Sequence, residues 1–270
     1  MSQTTSSEPD RLAARFAALR AEGRRALIPY IPAGYPALDA TPDLLDRLAR
    51  AGADVIEFGV PFSDPLADGP TVQRASFRAL EAGVTLDWTL DTLAGFHQRD
   101  ETPVILFTYL NPVMAYGVDR FLRDAAAAGA AGALVLDLPV GSDPALEDAF
   151  EASPLPLVRL IAPTTPAARA IEIAQRAQGF LYYISRTGVT GASDVLRTEL
   201  AQEVAALRAR TKVPVAVGFG ISTPEQAQAV GRVADGVVVG SALINALDRG
   251  GPAEAEAFLA SLRRGVDGDG

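Results

Sequence analysis

Apolar runs rich in β-branched residues alternate along this chain with longer segments of helical periodicity, and Gly, Pro, Asp or Ser stands at the junctions. That alternation is typical of repeated βα units built around a parallel sheet. The strand candidates are residues 26–31, 55–59, 104–108, 133–137, 157–161, 180–184, 213–217 and 236–239. Helices are predicted over residues 9–21, 41–51, 71–82, 88–97, 119–128, 166–175, 194–209 and 224–230.

Eight strands joined by crossover helices predict an α/β fold, a closed (β/α)8 TIM barrel of about 250 residues. The 270 residues, 49% of them hydrophobic, suffice for one large core. We therefore expect a single domain over 1–270 with an extra N-terminal helix, and disordered polar tails at 1–8 and 266–270. An open doubly wound sheet is the alternative, but its nucleotide fingerprint needs three glycines after the first strand, where Gly34 stands alone.

The composition argues against several classes of function. A net charge of -9 and an isoelectric point near 4.7 disfavour a surface that binds nucleic acid or anionic lipid. The sequence contains no cysteine, so it offers no disulfide, no thiolate nucleophile and no zinc–thiolate site. Because it has neither a signal-peptide pattern nor an apolar run of roughly 18 residues, we expect a cytoplasmic protein with small-molecule or protein partners.

An ionisable residue interrupts one of the apolar strands. Glu57 lies between Ile56 and Phe58, and Asp68 follows in a proline-rich loop. Burial in a medium of low dielectric constant raises the pKa of a carboxyl group toward the range in which it can give and take a proton. Both residues are therefore candidates for acid–base catalysis. The structural alternatives are a buried ion pair between Glu57 and Arg159, and a turn in which Asp68 binds its own loop amides.

Glycines follow the last two strand candidates. The segment 218–220 (Gly-Phe-Gly) follows the seventh strand, and Gly240-Ser241 follows the eighth and opens a short helix over 242–247. In phosphate-binding barrels these two places present backbone N–H groups and a helix N-terminus to the anion. A phosphorylated small molecule is therefore the expected ligand, although a glycine by itself can simply permit a sharp turn.

The loop after the sixth strand connects that strand to the helix predicted over residues 194–209. Residues 185–193 are too polar and glycine-rich to continue a strand or helix, so we predict a mobile lid, with an ordinary βα connection as the alternative.

The one lysine, Lys212, precedes the seventh strand and so lies at the wrong end of the barrel for a Schiff base. The one histidine, His97, ends a helical stretch and is expected at the surface.

Four motifs carry a resemblance to a known family. They are Pro61-Phe-Ser-Asp-Pro-Leu-Ala-Asp-Gly-Pro70, Tyr109-Leu-Asn-Pro-Val-Met-Ala-Tyr-Gly117, Ser185-Arg-Thr-Gly-Val-Thr-Gly191 and Gly218-Phe-Gly-Ile-Ser222. The chain resembles the alpha subunit family of tryptophan synthase over nearly its whole length. This implies a lyase of L-tryptophan biosynthesis that cleaves indole-3-glycerol phosphate to indole and glyceraldehyde 3-phosphate. It implies no cofactor and no metal in this chain, and a beta-subunit partner that carries PLP in an alpha2beta2 heterotetramer.

The resemblance also implies roles for single residues. Glu57 matches the family's acid–base residue, and Asp68 matches the carboxylate that binds the indole N–H group and is expected to stay ionised. Tyr182 matches a tyrosine near the reacting glycerol, with a core aromatic as the alternative. The other expected substrate-binding residues are the lid threonine Thr190, the phosphate-binding Gly191, Gly220, Gly240 and Ser241, and the indole-pocket candidates Phe219, Tyr109 and Tyr30.

Residues 61–64 and the Asn111-Pro112 turn match surfaces that meet the beta subunit. Two other functions remain open at this point. One is a phosphate-binding barrel isomerase or epimerase that uses the same two carboxylates, and the other is a catalytically silent subunit that activates a partner. The presence of both Glu57 and Asp68 disfavours the second.

Overall fold

The computed structural model describes residues 10–185, 194–218 and 220–268 of the 270-residue chain. The strands in this part are β1 (Ala26–Pro32), β2 (Ile56–Gly59), β3 (Val104–Thr108), β4 (Gly132–Val135), β5 (Arg159–Ile161), β6 (Leu181–Ile184), β7 (Val215–Gly218) and β8 (Gly236–Val239). The helices are α1 (Arg11–Ala21), α2 (Thr41–Arg50), α3 (Pro70–Glu81), α4 (Leu86–His97), α5 (Leu110–Tyr116), α6 (Val118–Ala127), α7 (Pro144–Glu151), α8 (Ala167–Gln175), α9 (Asp194–Arg208), α10 (Pro224–Gly231) and α11 (Ser241–Asp267).

The strands form one parallel sheet in the order β4-β3-β2-β1-β8-β7-β6-β5. Its two ends meet, because Ala133 of β4 forms a parallel bridge with Leu157, just before β5. There the Ala133 N–H donates to the Pro156 carbonyl (3.0 Å) and the Val158 N–H donates to the Ala133 carbonyl (2.8 Å). The predicted TIM barrel is therefore confirmed, and the open doubly wound sheet is excluded.

Two apolar layers hold the barrel together, because successive side chains of a strand point to opposite faces. Leu27 of β1 packs among residues of the surrounding helices, whereas its neighbour Ile28 belongs to a cluster inside the barrel. Helix α1, the predicted extra helix, contributes to the inner cluster. The ring of Phe16 lies 5.8 Å from that of Phe180, so α1 covers the amino-terminal end of the barrel and leaves the carboxyl-terminal end for the site.

Some predicted boundaries differ from the observed ones. Strand β7 begins at Val215 rather than at 213, since Pro214 has no N–H group for the sheet ladder. Helix α11 continues far beyond the short helix predicted over 242–247 and runs to Asp267, with a break at Gly250 and Gly251. The predicted tail at 266–270 was thus too long by at least two residues.

Helices α5 and α7 were not among the predicted elements. Both are short, at 7 and 8 residues, and a single apolar face of that length gives only a weak periodic signal. Within the described ranges, no helix has the length and apolar character needed to cross a bilayer.

Candidate active site

A cavity of about 570 Å³ opens at the carboxyl-terminal end of the barrel. Its walls include the two predicted carboxylates, Glu57 and Asp68, together with Tyr30 and Tyr182. The loop after β7 and the first residues of α11 close the opposite side. The fold therefore brings strand, loop and helix-terminus groups from distant parts of the sequence to one space, as sites in TIM barrels are built.

Glu57 faces the cavity because of its position in β2. The outward neighbours Ile56 and Phe58 belong to the layer beneath the helices, and Val55 belongs to the inner cluster, so Glu57 shares the inward face with Val55. Its side chain is 1% exposed, and Oε1 has no hydrogen-bond partner among the described residues. Burial raises the pKa of Glu57 to about 8, which keeps the carboxyl group protonated at neutral pH.

The alternative ion pair between Glu57 and Arg159 does not form. Arg159 Nη2 instead lies 3.0 Å from Glu147 Oε2, and Nη1 donates to the Leu138 carbonyl. Since burial raises the pKa of Glu57 and Arg159 is paired elsewhere, this carboxyl group can exchange a proton with a ligand. A salt-bridged carboxylate would stay ionised.

Asp68 occupies a more polar setting at the rim of the cavity. The Tyr109 hydroxyl donates to Asp68 Oδ2 (3.1 Å) and accepts from the Ala67 N–H (3.0 Å). Burial raises the pKa of Asp68 to about 6, and the hydrogen bond from Tyr109 opposes the rise. The Ala67 N–H thus donates to Tyr109 and not to Asp68. The alternative of a turn in which Asp68 binds its own loop amides therefore does not explain the position of this carboxylate. At neutral pH most of Asp68 is ionised while Glu57 is protonated.

The two tyrosines that line the cavity each lie over a glycine of a neighbouring strand. A Cβ at Gly218 would come within 2.6 Å of the Tyr182 hydroxyl oxygen, and a Cβ at Gly59 would clash with that of Tyr30. Burial raises the pKa of Tyr182, and the charges of Glu57 and Asp68 add to the rise. The Tyr182 hydroxyl therefore lies in the same cavity as both carboxyl groups, and its role near the reacting glycerol stays a prediction.

The predicted phosphate end lies across the cavity. Gly220 has a φ of +71°, and it lines the cavity together with Gly240 and Ser241. Ser241 begins α11, which has no acidic residue in its first turn and no side chain capping its N-terminus. The first N–H groups of a helix lack partners inside the helix and carry partial positive charge, so this end of the cavity suits an anion.

Several of the predicted site residues are not among the described residues that line the cavity. Thr190, Gly191 and Phe219, and the lid segment from 186 to 193, lie outside the described residues. Tyr109 lies behind Asp68, with its ring 5.2 Å from that of Phe62. The predicted roles of these residues in the lid, the phosphate site and the indole pocket stay predictions.

The prediction that His97 is a surface residue holds only in part. His97 is half-buried, because Arg11 of α1 and Gly129 pack against it, and its Nδ1 lies 3.1 Å from the Asp100 carbonyl. It ends α4 near the amino-terminal end of the barrel, away from the site. Lys212 is exposed just before β7, at that same end, as predicted.

An apolar wall of the cavity was missed from the sequence. It consists of Phe107, Leu136, Leu160, Ile184 and Val238. Most of these residues stand at or next to the carboxyl end of a strand, where every second residue points inward. The alternation of inward and outward side chains, applied as far as the end of each strand, would have predicted them.

Comparison with known proteins agrees with this geometry. The family model described as tryptophan synthase alpha chain matches residues 16–264. The tryptophan synthase alpha chain of Laribacter hongkongensis is 48% identical over 262 residues, which cover 96% of this chain and 99% of that relative. The chain belongs to the tryptophan synthase alpha chain family. The alpha chain of Gluconacetobacter diazotrophicus is 49% identical over 255 residues, which cover 94% and 93% of the two chains.

Solved structures of the tryptophan synthase family share the barrel. The tryptophan synthase alpha subunit from Legionella pneumophila str. Paris superposes with a TM-score of 0.86 at 39% identity, over 96% of this chain and 98% of the other. A structure of tryptophan synthase from M. tuberculosis, in an open form with BRD0059 bound, gives a TM-score of 0.87 at 36% identity, over 96% and 99% of the two chains.

Membership of the tryptophan synthase alpha chain family fixes the reaction class. The protein is a carbon–carbon lyase of tryptophan biosynthesis that cleaves indole-3-glycerol phosphate to indole and glyceraldehyde 3-phosphate. The alpha-chain reaction needs no cofactor, since PLP belongs to the beta subunit that partners this family. Neither the isomerase nor the silent-activator alternative gains support from these comparisons.

Proposed function

We propose that Glu57 is the acid–base catalyst of indole-3-glycerol phosphate cleavage and that Asp68 stabilises the positive charge that develops on the indole nitrogen. The observation that carries this assignment is the difference between two carboxyl groups in one cavity. Burial raises the pKa of Glu57 to about 8, whereas the pKa of Asp68 is about 6. Two acids whose environments separate their pKa values can take opposite protonation states and opposite roles.

The reaction begins with Glu57 protonated. Its proton passes to C3 of the indole ring, and the ring nitrogen, still carrying its hydrogen, becomes positively charged. The Glu57 carboxylate then accepts the proton of the adjacent glycerol hydroxyl. The bond between C3 and the glycerol carbon breaks, its electron pair returns to the ring to restore neutral indole, and the glycerol fragment leaves as an aldehyde. The ring is its own electron sink, so the step needs no amine nucleophile.

Asp68 acts on the nitrogen while that charge exists. Its Oδ2 accepts the Tyr109 hydrogen bond, and we assign Oδ1 to the indole N–H group. A fixed carboxylate aimed at developing positive charge in a partly buried cavity lowers the barrier without reorganising solvent. The apolar wall of the cavity, which includes Phe107 and Val238, supplies the flat surface that an indole ring needs.

The proposed roles predict the pH profile and its response to Tyr109→Phe. Activity requires Asp68 ionised and Glu57 protonated, so kcat/KM should fall below about pH 6 and above about pH 8. Tyr109→Phe removes the hydroxyl that lowers the pKa of Asp68; the acid limb should move to higher pH while the basic limb stays. Tyr116→Phe, which removes a tyrosine–aspartate bond on α5, is the control. An unmoved acid limb would contradict the role of Tyr109.

The amino end of α11 is the proposed phosphate site, which Gly240→Asp tests. A carboxylate there repels the phosphate, so the Kd of glycerol 3-phosphate should rise by about 10- to 100-fold, equivalent to about 1.4–2.8 kcal/mol. The matched control is Gly240→Ala, whose Cβ would only make ordinary contacts of 3.7 Å with Tyr30. Calorimetric titration measures both variants. Equal affinity for Gly240→Asp and Gly240→Ala would mean that the phosphate binds elsewhere.

We further propose an alpha2beta2 assembly in the cytoplasm. Leu66 in the loop before α3 is 91% exposed and Met114 on α5 is 58% exposed, next to the two segments expected to meet a beta subunit, residues 61–64 and Asn111-Pro112. Exposed apolar side chains of this size are a feature of docking surfaces. The mass of the complex with a tryptophan synthase beta chain, measured by light scattering, distinguishes alpha2beta2 from a one-to-one pair. A biosynthetic enzyme with a phosphorylated metabolite as substrate fits the cytoplasm.

A further inference from the structure

The loop that carries Asp68 is held by a side chain that has no part in the chemistry. Gln73, in the first turn of α3, directs its amide nitrogen away from its own helix. Nε2 donates to the Asp68 carbonyl (2.9 Å) and to the Pro65 carbonyl (3.2 Å). Both acceptors belong to the turn that the Asp68 N–H closes on the Pro65 carbonyl at 3.0 Å. One amide group thus holds both ends of the four-residue turn.

The chemistry of the two acceptors explains why an amide stands there. A glutamine NH2 group has two hydrogens on one nitrogen, which matches two neighbouring carbonyl oxygens. A glutamate at the same position would face those oxygens with a negative charge. Gln73 is also half-buried, so water competes weakly for its hydrogen bonds and their loss is costly.

The turn has few other restraints. Leu66 and Ala67 are exposed, and α3 has no side chain capping its N-terminus at Gly69. Tyr109 binds the Asp68 side chain through Oδ2 and also accepts from the Ala67 N–H of the turn, whereas Gln73 binds the carbonyl of Asp68 itself.

We propose that Gln73 is a positioning residue for catalysis, which fixes where the Asp68 carboxylate stands relative to the indole nitrogen. It touches neither substrate nor Glu57, and it acts only through Asp68. This inference rests on the role proposed for Asp68. It adds that the position of that carboxylate depends on the hydrogen bonds that Gln73 of α3 donates to the Asp68 and Pro65 carbonyls.

The test is a double-mutant cycle in the complex with a tryptophan synthase beta chain. Gln73→Met keeps the length of the side chain and removes both hydrogens. Since misplacement of a catalytic group by about 1 Å can cost up to about 100-fold in rate, kcat for indole-3-glycerol phosphate cleavage should fall by about 10- to 100-fold. KM should change by less than about threefold, because the phosphate site is untouched. Gln202→Met on the exposed face of α9 is the matched control.

The cycle separates positioning from general destabilisation. In an Asp68→Asn background, Gln73→Met should lower kcat by less than about twofold, because the group it positions has already lost its charge. A wild-type kcat for Gln73→Met, or an undiminished loss of kcat in the Asp68→Asn background, would overturn the inference. If Asp68→Asn alone keeps full activity, the role of Asp68 fails instead, and the two failures are told apart.

Discussion

Glu57→Gln is expected to lower kcat for indole-3-glycerol phosphate cleavage by about 10²- to 10⁴-fold, the range for losing a general acid–base group. The amide has the shape of the protonated carboxyl group that fills this site at neutral pH, but it cannot deliver a proton to C3 or accept one from the glycerol hydroxyl. Binding should change little, because Glu57 is buried and uncharged before the reaction. Release of glyceraldehyde 3-phosphate, followed with a coupled dehydrogenase, measures the effect.

Two further measurements make the Glu57 result decisive. Calorimetric titration with glycerol 3-phosphate should give a Kd within about threefold of the wild-type value, and Glu81→Gln on the exposed face of α3 should keep full activity. A Glu57→Gln enzyme with more than about a tenth of wild-type kcat would remove Glu57 from the mechanism.

Asp68→Asn is expected to cause the second large loss of activity. Asparagine keeps the size of the side chain and an oxygen for the Tyr109 hydroxyl, but it loses the negative charge that offsets positive charge on the indole nitrogen. We expect kcat to fall by about 10²- to 10³-fold, comparable with the loss of one electrostatic donor in other active sites. The residual activity should also lose its acid limb near pH 6, since that limb reports ionisation of Asp68, and keep its basic limb near pH 8.

The pH profile distinguishes the role of Asp68 from simple damage to the fold. A destabilised protein would lose activity at every pH, and its melting temperature would fall. Asp148→Asn, an exposed aspartate of α7, controls for the loss of one negative charge. If the acid limb persists in Asp68→Asn, another group is responsible for it.

The barrel of consecutive strands, and the meeting of the two carboxyl groups with the glycines after β7 and β8 in one cavity, could be predicted from the sequence because each depends on local pattern. A period of two along β2 puts Glu57 on the face opposite Ile56 and Phe58, and a buried carboxyl group is expected to face a cavity and not the apolar layer beneath the helices. Parallel βα units bring the carboxyl ends of the strands to one rim, so Asp68, Gly220 and Ser241 had to be neighbours in space once the barrel closed. The four sequence motifs then indicated the family to which the chain belongs.

What the tertiary structure decided is the environment of each group. Sequence reasoning left open an ion pair between Glu57 and Arg159, and only packing reveals that Arg159 turns to Glu147. It took Tyr109 as a candidate for the indole pocket but did not foresee that the Tyr109 hydroxyl donates to Asp68 and lowers the pKa of that carboxyl group. Gln73 drew no attention at all, because its acceptors are backbone carbonyls that no motif records.

Sequence alone therefore determined which residues are candidates for the chemistry, and tertiary structure decided the surroundings that set their pKa values. The physical reason is that strand period and chain direction are local properties, while a pKa depends on every atom that replaces water around a group. Glu57 and Asp68 are both carboxylic acids in the sequence. They become acid and anion only when one lies inside an apolar strand and the other meets a tyrosine hydroxyl.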